Sequence, residues 1–291
     1  MDEVPVPEPG PGQMRIRVQA ASVNPVDYKI RRGGYLPADK LPITLGRDVA
    51  GVVERLGPGV DGAFREGSAV FAMLERDNGG NAELTLARPD ICAPVPRGLD
   101  AVQAGAIPLA GLTAWQGLFD HGGLQEGQRV LIHGGAGGVG HLAVQFAKAR
   151  GAQVFATCAG QDAEFVHGLG ADVVIDYKAE RFEDRARDLD VVFDLVAGEV
   201  QDRSWAVLRQ GGILVSTLAE PDQQKAAARG ARGTRYMAQP NGAELREIAG
   251  LVEDGRVRAH VDRTFPLAAV AEAHRVLEHE HVRGKIVLQV A

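Results

Sequence analysis

The sequence predicts an α/β protein in which a doubly wound parallel sheet is preceded and followed along the chain by β-rich segments. Strand-like and helix-like segments alternate through residues 129–237, which is typical of βαβ units. A glycine-rich turn at residues 134–140 joins the first of these strands to a helix. Short strands bounded by Gly and Pro turns occur before residue 108 and after residue 254, so we expect two domains.

The individual strands follow from the apolar patterns. In the β-rich N-terminal part we expect strands at residues 15–19, 49–53, 69–72 and 83–86. In the alternating part we expect them at residues 130–132, 153–157, 173–175, 191–193 and 211–216. Asn241 and Glu244 have the spacing of a helix N-cap and its capping box. A helix at 267–278 between strands at 260–265 and 285–290 predicts that the C-terminal tail rejoins the N-terminal part.

The glycine turn carries the pattern G-x-G-x-x-G at Gly135, Gly137 and Gly140. In such a turn the first glycine permits the tight bend, and the second lets the backbone approach a pyrophosphate. The third lets the helix pack closely on the strand. Backbone N–H groups of the turn and of the helix N terminus then bind the phosphates.

A glycine-rich loop without a ligand is the alternative interpretation of this turn. The apolar strand before it, the helical spacing of apolar residues 139–147 after it, and the next strand at 153–157 together favour a dinucleotide site. The turn residues expected to contact the cofactor are Gly135, Ala136, Gly137, Gly138, Val139 and Gly140.

Composition argues against several other classes of protein. The net charge of −6 and the lack of a long Lys/Arg cluster argue against a nucleic-acid partner. No apolar run approaches the ~18 residues of a membrane helix, and the acidic, Pro-rich N terminus is not a signal peptide. Cys92 and Cys158 are far apart in sequence and are typical of reduced thiols. We therefore expect a cytoplasmic protein without nucleic-acid or membrane partners.

Segments spread over nearly the whole chain resemble those of the medium-chain dehydrogenase/reductase superfamily, and they follow in the family's order. The resemblance is to its zinc-independent quinone oxidoreductase branch, which includes the zeta-crystallin-like quinone and enone reductases. The matching segments are residues 22–29, 46–51, 108–115, 134–140, 170–177, 193–198, 265–267 and 283–288.

The resemblance implies a domain organisation and an assembly. A GroES-like catalytic domain would comprise residues 1–108, completed by 255–291, and a Rossmann domain would comprise residues 109–254. The resemblance also implies that the chain forms a homodimer. Members of this branch usually carry a further β-hairpin ahead of the segment that begins here at Glu3. We therefore expect the chain to be either truncated or a natural short form.

The resemblance also argues against a metal. Zinc-dependent relatives have Cys where this chain has Asn24, and Gly-His-Glu where it has Gly46, Arg47 and Asp48. Without a thiolate and an imidazole, the ligand set of a catalytic zinc is missing. His279 and His281 are expected to be exposed polar residues after a helix, so we predict no bound metal.

The cofactor is expected to be NADPH, with NADH as the less favoured alternative. An NAD site usually has an acidic residue at the tip of the second strand, whereas this tip reads Thr157-Cys-Ala-Gly. The resemblance adds Tyr177 as a contact to the 2′-phosphate, with His167 and Lys178 as further candidates. The cofactor contacts expected outside the glycine turn are Thr157, Tyr177, Ser216, Leu218, Arg283 and Lys285.

Hydride transfer without a metal needs hydrogen-bond donors for the charge that develops on the acceptor oxygen. The matched motifs place Asn24, Asp27 and Lys29 in the catalytic site, with Thr113 beside the nicotinamide. Asn24 would donate to a carbonyl oxygen, Lys29 would supply charge or a proton, and Asp27 would orient a neighbour or cap a loop. Asp48 would pair with Arg47 or Lys29.

These expectations lead to an oxidoreductase that uses NADPH to reduce a quinone or an α,β-unsaturated carbonyl compound. An enoyl reductase of a biosynthetic pathway is an alternative within the same class. A non-catalytic NADPH-binding protein is an alternative from another class. The sequence does not identify the physiological acceptor, because the shape of the pocket decides it.

Overall fold

The computed structural model describes residues 2–35, 38–62 and 64–290. The chain forms two compact units. The first comprises Met1–Leu112, Pro240–Gly255 and Ala259–Ala291, and the second comprises Thr113–Gln239 and Arg256–Arg258. The domain limits of 1–108 with 255–291, and of 109–254, stay a prediction. The described division differs from them mainly in placing residues 240–255 in the first unit.

The strands form one sheet in each unit. In chain order they are β1 Met14–Val23, β2 Asp48–Leu56, β3 Ala69–Met73, β4 Leu84–Ala87, β5 Cys92–Pro94, β6 Arg129–His133, β7 Gln153–Cys158, β8 Val173–Asp176, β9 Leu189–Asp194, β10 Leu208–Ser216, β11 Arg232–Arg235, β12 Val261–Pro266 and β13 Lys285–Gln289.

The helices are mostly short and lie between the strands. In chain order they are α1 Pro25–Arg31, α2 Ala101–Gly105, α3 Pro108–Trp115, α4 Gly140–Ala149, α5 Ala163–Gly168, α6 Phe182–Arg185, α7 Glu199–Ser204, α8 Gln223–Arg229, α9 Gly242–Glu253 and α10 Val270–His279. A π-helical segment, Gln116–His121, follows α3. None of the helices formed by the described residues is both long and apolar enough to cross a bilayer.

The first unit is built on a mixed sheet of order β12-β13-β1-β2-β3-β5, with β4 also paired to β1. Apolar and polar residues alternate along β1, so one face of that strand packs into the core and the other faces outward. The C-terminal strand β13 pairs antiparallel with β1, and Ser22 is opposite Val287. The tail therefore rejoins the N-terminal part, as its strand pattern predicted.

The second unit is built on a parallel sheet of order β11-β10-β9-β6-β7-β8. Counted from β6, this is the doubly wound order 3-2-1-4-5-6, whose direction reverses between β6 and β9. The inner strands β6 and β9 and the neighbouring β7 are almost wholly buried, which explains their continuous apolar sequences. The expected fold class, a GroES-like β-rich part with a Rossmann sheet, is confirmed.

Helix caps follow the sequence in the first unit. The Asn241 side chain accepts hydrogen bonds from the N–H groups of Ala243 and Glu244 and so begins α9, as predicted. Asn24 is the N-cap of α1, and Pro25 occupies the first helical position, where a missing N–H is harmless. The cap of α1 matters for function, because it places Asn24 and Asp27 together.

Candidate functional site

The glycine turn in the second unit has the geometry that the motif predicted. Gly134 has φ +77°, a conformation that L side chains rarely adopt, and it starts the turn directly after β6. A Cβ on Gly140 would overlap the carbonyl oxygen of Gly134, so the start of α4 packs against the turn at a distance that only glycine permits. The helix therefore begins immediately behind the turn.

The turn also presents unpaired donors. Gly137 to Val139 are half-buried, and within the described residues the N–H groups of Gly138 and Val139 have no hydrogen-bond acceptor. The N–H of Gly135, by contrast, is bonded to the carbonyl of Thr157 at 2.8 Å. Free N–H groups at the positive end of α4 form a suitable site for a pyrophosphate.

Thr157, expected to contact the cofactor, is buried and supports the turn. Its Oγ1 accepts from the N–H of Gly134 at 3.2 Å and lies 3.2 Å from Nδ1 of His133. The other ring nitrogen of His133 lies 3.0 Å from Oγ of Ser204, whose hydroxyl donates to the carbonyl of Val200. These directions are consistent with one neutral tautomer, in which Thr157 donates to Nδ1 and Nε2–H donates to Ser204.

Burial lowers the pKa of His133 to about 4, although the charge of Asp194 opposes that shift. The ring is therefore neutral at physiological pH, as the bonding chain requires. The hydroxyl of Thr157 is bonded to Gly134 and lies next to His133, so its side chain supports the glycine turn, while its contact with the cofactor stays a prediction. Its main-chain position still lies at the tip of β7.

The tip of β7 lies beside the end of β8. Tyr177, just past β8, is 60% exposed, and Nζ of Lys178 lies 5.9 Å from the centre of its ring. Both side chains are thus open to a ligand. The carboxylate of Asp176 lies beside Gly160, since a Cβ on that glycine would overlap Asp176 Oδ2. The sequence did not reveal this acidic neighbour of the tip, because it belongs to the following strand.

Ser216 and Leu218, at the end of β10, differ in their accessibility. The Ser216 hydroxyl is buried and donates to Asp194 Oδ2 at 2.9 Å, so it holds β10 to β9 and is not exposed to a ligand. Asp194 Oδ1 in turn accepts from the N–H groups of Val196 and Ala197. Leu218 is 41% exposed and remains a candidate contact.

In the first unit, a buried cluster forms around the carboxylate of Asp48. Asp48 Oδ2 accepts from the Ser22 hydroxyl and from Nδ2 of Asn24, the latter at 2.8 Å. Asp48 Oδ1 accepts from the N–H of Leu109 at 2.6 Å, in the first turn of α3. Nζ of Lys285 lies 3.7 Å from Asp48 Oδ2. Three hydrogen-bond donors and one ammonium, from three segments of the chain, therefore surround one carboxylate.

Lys285 belongs to this cluster, and its expected contact with the cofactor stays a prediction. Its ammonium donates to Asn24 Oδ1, and the residue is 3% exposed. The pairing of β13 with β1 brings Ile286 opposite Val23, which places Lys285 next to Asn24. The partner of Asp48 is consequently Lys285, whereas Arg47 donates from Nε to the carbonyl of Leu74 at 2.8 Å.

Asn24 has a different role from the one expected. Its Nδ2 donates both to Asp48 and to the carbonyl of Ser22, at 3.2 Å for the latter. Both amide hydrogens are therefore used, and its oxygen accepts from Lys285. An amide bonded in this way orients its neighbours and has no hydrogen left for a carbonyl substrate.

Asp27, at the third position of α1, belongs to the same cluster and has an altered acidity. Its Oδ2 accepts from the N–H of Asn24 at 2.8 Å, whereas Oδ1 is buried without a hydrogen-bond partner among the described residues. Burial raises the pKa of Asp27 to about 7; the Asn24 N–H and the charges of Lys285 and Arg47 oppose the rise, and Asp48 adds to it. Asp27 can therefore hold a proton near neutral pH.

The remaining expected site residues are not brought into this cluster. Lys29 is half-buried on α1, one turn along from the cap. Thr113, in the second unit, is buried, and its carbonyl accepts from the Tyr236 hydroxyl. Arg283 is half-buried, and its N–H donates to Asp262 Oδ1 at 3.4 Å.

His, Cys, Asp and Glu side chains are the usual ligands of a protein-bound zinc ion. Within residues 2–35, 38–62 and 64–290, no group of three or more His, Cys, Asp or Glu side chains could hold one. Cys92 and Cys158 are both buried free thiols, and burial raises the pKa of Cys92 to about 12 and that of Cys158 to about 11. The positively charged group next to Asn24 is the ammonium of Lys285.

Two protein-family models match the chain. The alcohol dehydrogenase GroES-like domain matches residues 10–126, and the zinc-binding dehydrogenase family matches residues 169–288. The first match covers β1 to β5 of the mixed sheet, and the second covers β8 to β11 of the parallel sheet together with β12 and most of β13 of the mixed sheet.

Curated relatives and solved structures are similar over almost the whole chain. The chloroplastic NADPH-dependent alkenal/one oxidoreductase of Arabidopsis thaliana is 36% identical, over 97% of this chain and 73% of that protein. The structure of the quinone oxidoreductase from Coxiella burnetii is 37% identical with a TM-score of 0.91, over 99% of this chain and 93% of that one. The Escherichia coli quinone oxidoreductase complexed with NADPH is 28% identical with a TM-score of 0.90, over 99% and 95%.

Proposed function

Because the chain belongs to the medium-chain dehydrogenase/reductase superfamily, in its quinone oxidoreductase-like branch, we propose that it uses NADPH to reduce quinones or α,β-unsaturated carbonyl compounds. The observation that carries the proposal is the glycine turn with its free N–H groups at the start of α4. The NADPH named for the Arabidopsis and Escherichia coli relatives supports the choice of cofactor.

The second unit would hold the cofactor through its main chain. The N–H groups of Gly138 and Val139 would bind the pyrophosphate, assisted by the positive end of the α4 dipole. Tyr177 and Lys178 are exposed beside the β7 tip, where a 2′-phosphate would need a donor and a positive charge. The cofactor, when bound, supplies the hydride, and the protein supplies position and charge.

The first unit would supply polar groups to the acceptor. Reduction of a carbonyl-conjugated acceptor places negative charge on its oxygen, and donors aimed at that oxygen lower the barrier. Lys29, half-buried on α1, carries an ammonium that could donate to that oxygen. Asp27 would hold a proton, since burial raises its pKa to about 7, and Asn24 would orient the cluster.

We further propose that the protein is a metal-independent homodimer located in the cytoplasm, without nucleic-acid or membrane partners. The ammonium of Lys285 beside Asn24 supports metal independence, because a positive charge at this position would repel a metal cation. The net charge of −6 supports the absence of a nucleic-acid partner. Metal analysis of purified protein and light scattering would test the metal content and the dimer.

The proposed activity can be tested by following NADPH absorbance with purified protein. We expect oxidation of NADPH with phenanthrenequinone and with small enones, at a higher kcat/KM than with NADH. Gly140→Ala is the negative control, because it should weaken binding of either nucleotide at least about ten-fold. NADPH binding without turnover of any acceptor would contradict the proposal and favour a non-catalytic binding protein.

A further inference from the structure

Lys285 is buried in the first unit, and burial of its charged ammonium costs free energy. An ammonium taken out of water loses its hydration, and the cost is repaid only by close partners. Burial accordingly lowers the pKa of Lys285, while the charges of Asp48 and Asp27 oppose the shift. A methionine or leucine at this position would fill similar volume without that cost, so stability alone does not explain a lysine here.

The contacts of Lys285 reach two residues that differ in charge. The ammonium donates to the neutral Asn24 Oδ1 and lies 3.7 Å from the carboxylate of Asp48. The bond to Oδ1 selects one of the two orientations of the Asn24 amide, since only the oxygen can accept from an ammonium. Nδ2 must then point to Asp48 and to the carbonyl of Ser22, as observed.

Asp48 carries this arrangement to two helices. Its Oδ1 accepts from the N–H of Leu109 and so caps α3 with a negative charge. Its Oδ2 holds Asn24, the N-cap of α1, through the amide hydrogen. Without Lys285, the Asp48 carboxylate would have only neutral hydrogen-bond donors. The amide group of Asn24 would then be free to rotate and exchange the positions of Oδ1 and Nδ2.

We propose that Lys285 is a positioning residue for the reduction, which acts by fixing Asp48 and the amide of Asn24 so that α1 presents Asp27 and Lys29 in one geometry. This inference rests on the proposed function. The ammonium forms no bond to substrate or cofactor in this role. Misplacing catalytic groups by about 1 Å costs on the order of 100-fold in rate, so a loss of positioning should appear mainly in kcat.

The test is a double-mutant cycle of Lys285→Met, Asp48→Asn and their combination. Asp48→Asn keeps an oxygen that can accept from Leu109, and the combination leaves no unpaired buried charge. We expect Lys285→Met to lower kcat about 10- to 100-fold while leaving the Kd for NADPH within about two-fold of wild type. The combined variant should regain Tm relative to Lys285→Met, yet its kcat should stay as low as that of the single variants.

The outcomes separate the possible roles. If kcat recovers together with Tm in the combined variant, Lys285 serves stability alone and the proposal is overturned; unchanged kcat in Lys285→Met overturns it as well. If Lys285→Met does not fold, the kcat of the folded combined variant decides: a low kcat supports the positioning role, and a wild-type kcat overturns it. Lys225→Met, which breaks the exposed pair with Asp202, is the matched control and should leave kcat unchanged.

Failure of the proposed function is distinguishable from failure of this inference. If wild-type protein binds NADPH but reduces no quinone or enone, the proposed function is wrong, and the positioning role is rejected with it. If wild-type protein turns over and the variants match it, only the role of Lys285 is wrong.

Discussion

Asn24 and Thr157 illustrate how partners decide the role of a buried polar residue. Both were expected to contact a ligand, and both have their side-chain hydrogens or lone pairs engaged by the protein. Asn24 holds Asp48, and Thr157 holds the glycine turn. Residue type and motif position therefore indicated where these residues lie, whereas the hydrogen bonds show which groups their side chains hold.

Asp27 gives the protein a pH dependence of stability that can be measured. Burial raises its pKa from 3.8 to about 7, so the folded state holds the proton more tightly than the unfolded chain. This contribution is complete below about pH 4 and is lost as the pH rises through about 7, up to about 4 kcal/mol in total. Relative to wild type, Asp27→Asn should therefore gain Tm between pH 5 and pH 8, as followed by circular dichroism.

The comparison with wild type is needed because His133 titrates in the opposite sense. Its pKa is lowered to about 4, so its contribution is lost as the pH falls. Asp61→Asn, at an exposed position of the same unit, is the control and should leave the difference at zero. A Tm difference that does not vary with pH would mean that Asp27 is ionised in the folded state throughout.

Asp176 is expected to lower the ratio of kcat/KM for NADPH over NADH. Its carboxylate lies beside Gly160 at the β7 tip, where like charge would repel a 2′-phosphate. Asp176→Asn should raise the ratio of kcat/KM for NADPH over NADH about three- to ten-fold, which corresponds to about 1 kcal/mol of repulsion. Asp184→Asn, exposed in the same unit, should not change the ratio, and a fall in the ratio would contradict the placement of the phosphate.

At the scale of elements, the glycine turn is a rigid piece assembled from several segments. Gly134 opens it, the side chain of Thr157 secures it to β7, and His133 continues the bonds to Ser204 at the end of α7. Gly140 allows α4 to start against it. The free N–H groups are consequently held in place before any ligand binds, which reduces the ordering cost of binding.

Gly140→Ala tests that close approach. The new Cβ would overlap the main-chain oxygen of Gly134, and neither backbone can move without displacing the turn. We expect a loss of about 1–3 kcal/mol in stability and at least about ten-fold weaker NADPH binding, measured by fluorescence titration. Gly168→Ala, where a Cβ meets nothing within 4 Å, should bind NADPH like wild type. Unchanged affinity in Gly140→Ala would show that the turn does not bind the cofactor.

At the scale of the whole molecule, the first unit is made from both ends of the chain. The last strand, β13, lies between β12 and β1 and has hydrogen-bonded neighbours on both sides. It also carries Ile286, Val287 and Leu288, which are fully buried. The N-terminal residues therefore cannot complete their sheet until the last residues have been added.

A chain that ends at residue 283 should lose the cooperative folding of the first unit. Three fully buried aliphatic side chains contribute about 5–9 kcal/mol, which is comparable to the whole stability of a domain. We expect rapid proteolysis of the first unit and loss of its thermal transition. Gln289→Ala, an exposed position on the same strand, should leave both unchanged. A truncated chain with a wild-type transition would contradict the interior position of β13.

Much of the fold could be predicted because its signals are local. The apolar run at β6, the glycines after it and the helical spacing of α4 lie within one stretch of chain. The edge strand β11, with the sequence Arg-Gly-Thr-Arg, was missed because it has no apolar pattern and is held by its pairing with β10. The short strand β5 was missed for a related reason, since it contains Pro94 and only three residues.

The sequence by itself determined the alternation of strands and helices, the nucleotide-binding turn and the family segments, since each depends on residues close together in the chain. Only the tertiary structure decided that Lys285 meets Asn24 and Asp48, that Asp176 lies beside the β7 tip, and that Thr157 supports Gly134. These contacts depend on strand register and on burial. Burial also sets the acidity of Asp27 and His133, which no local pattern encodes.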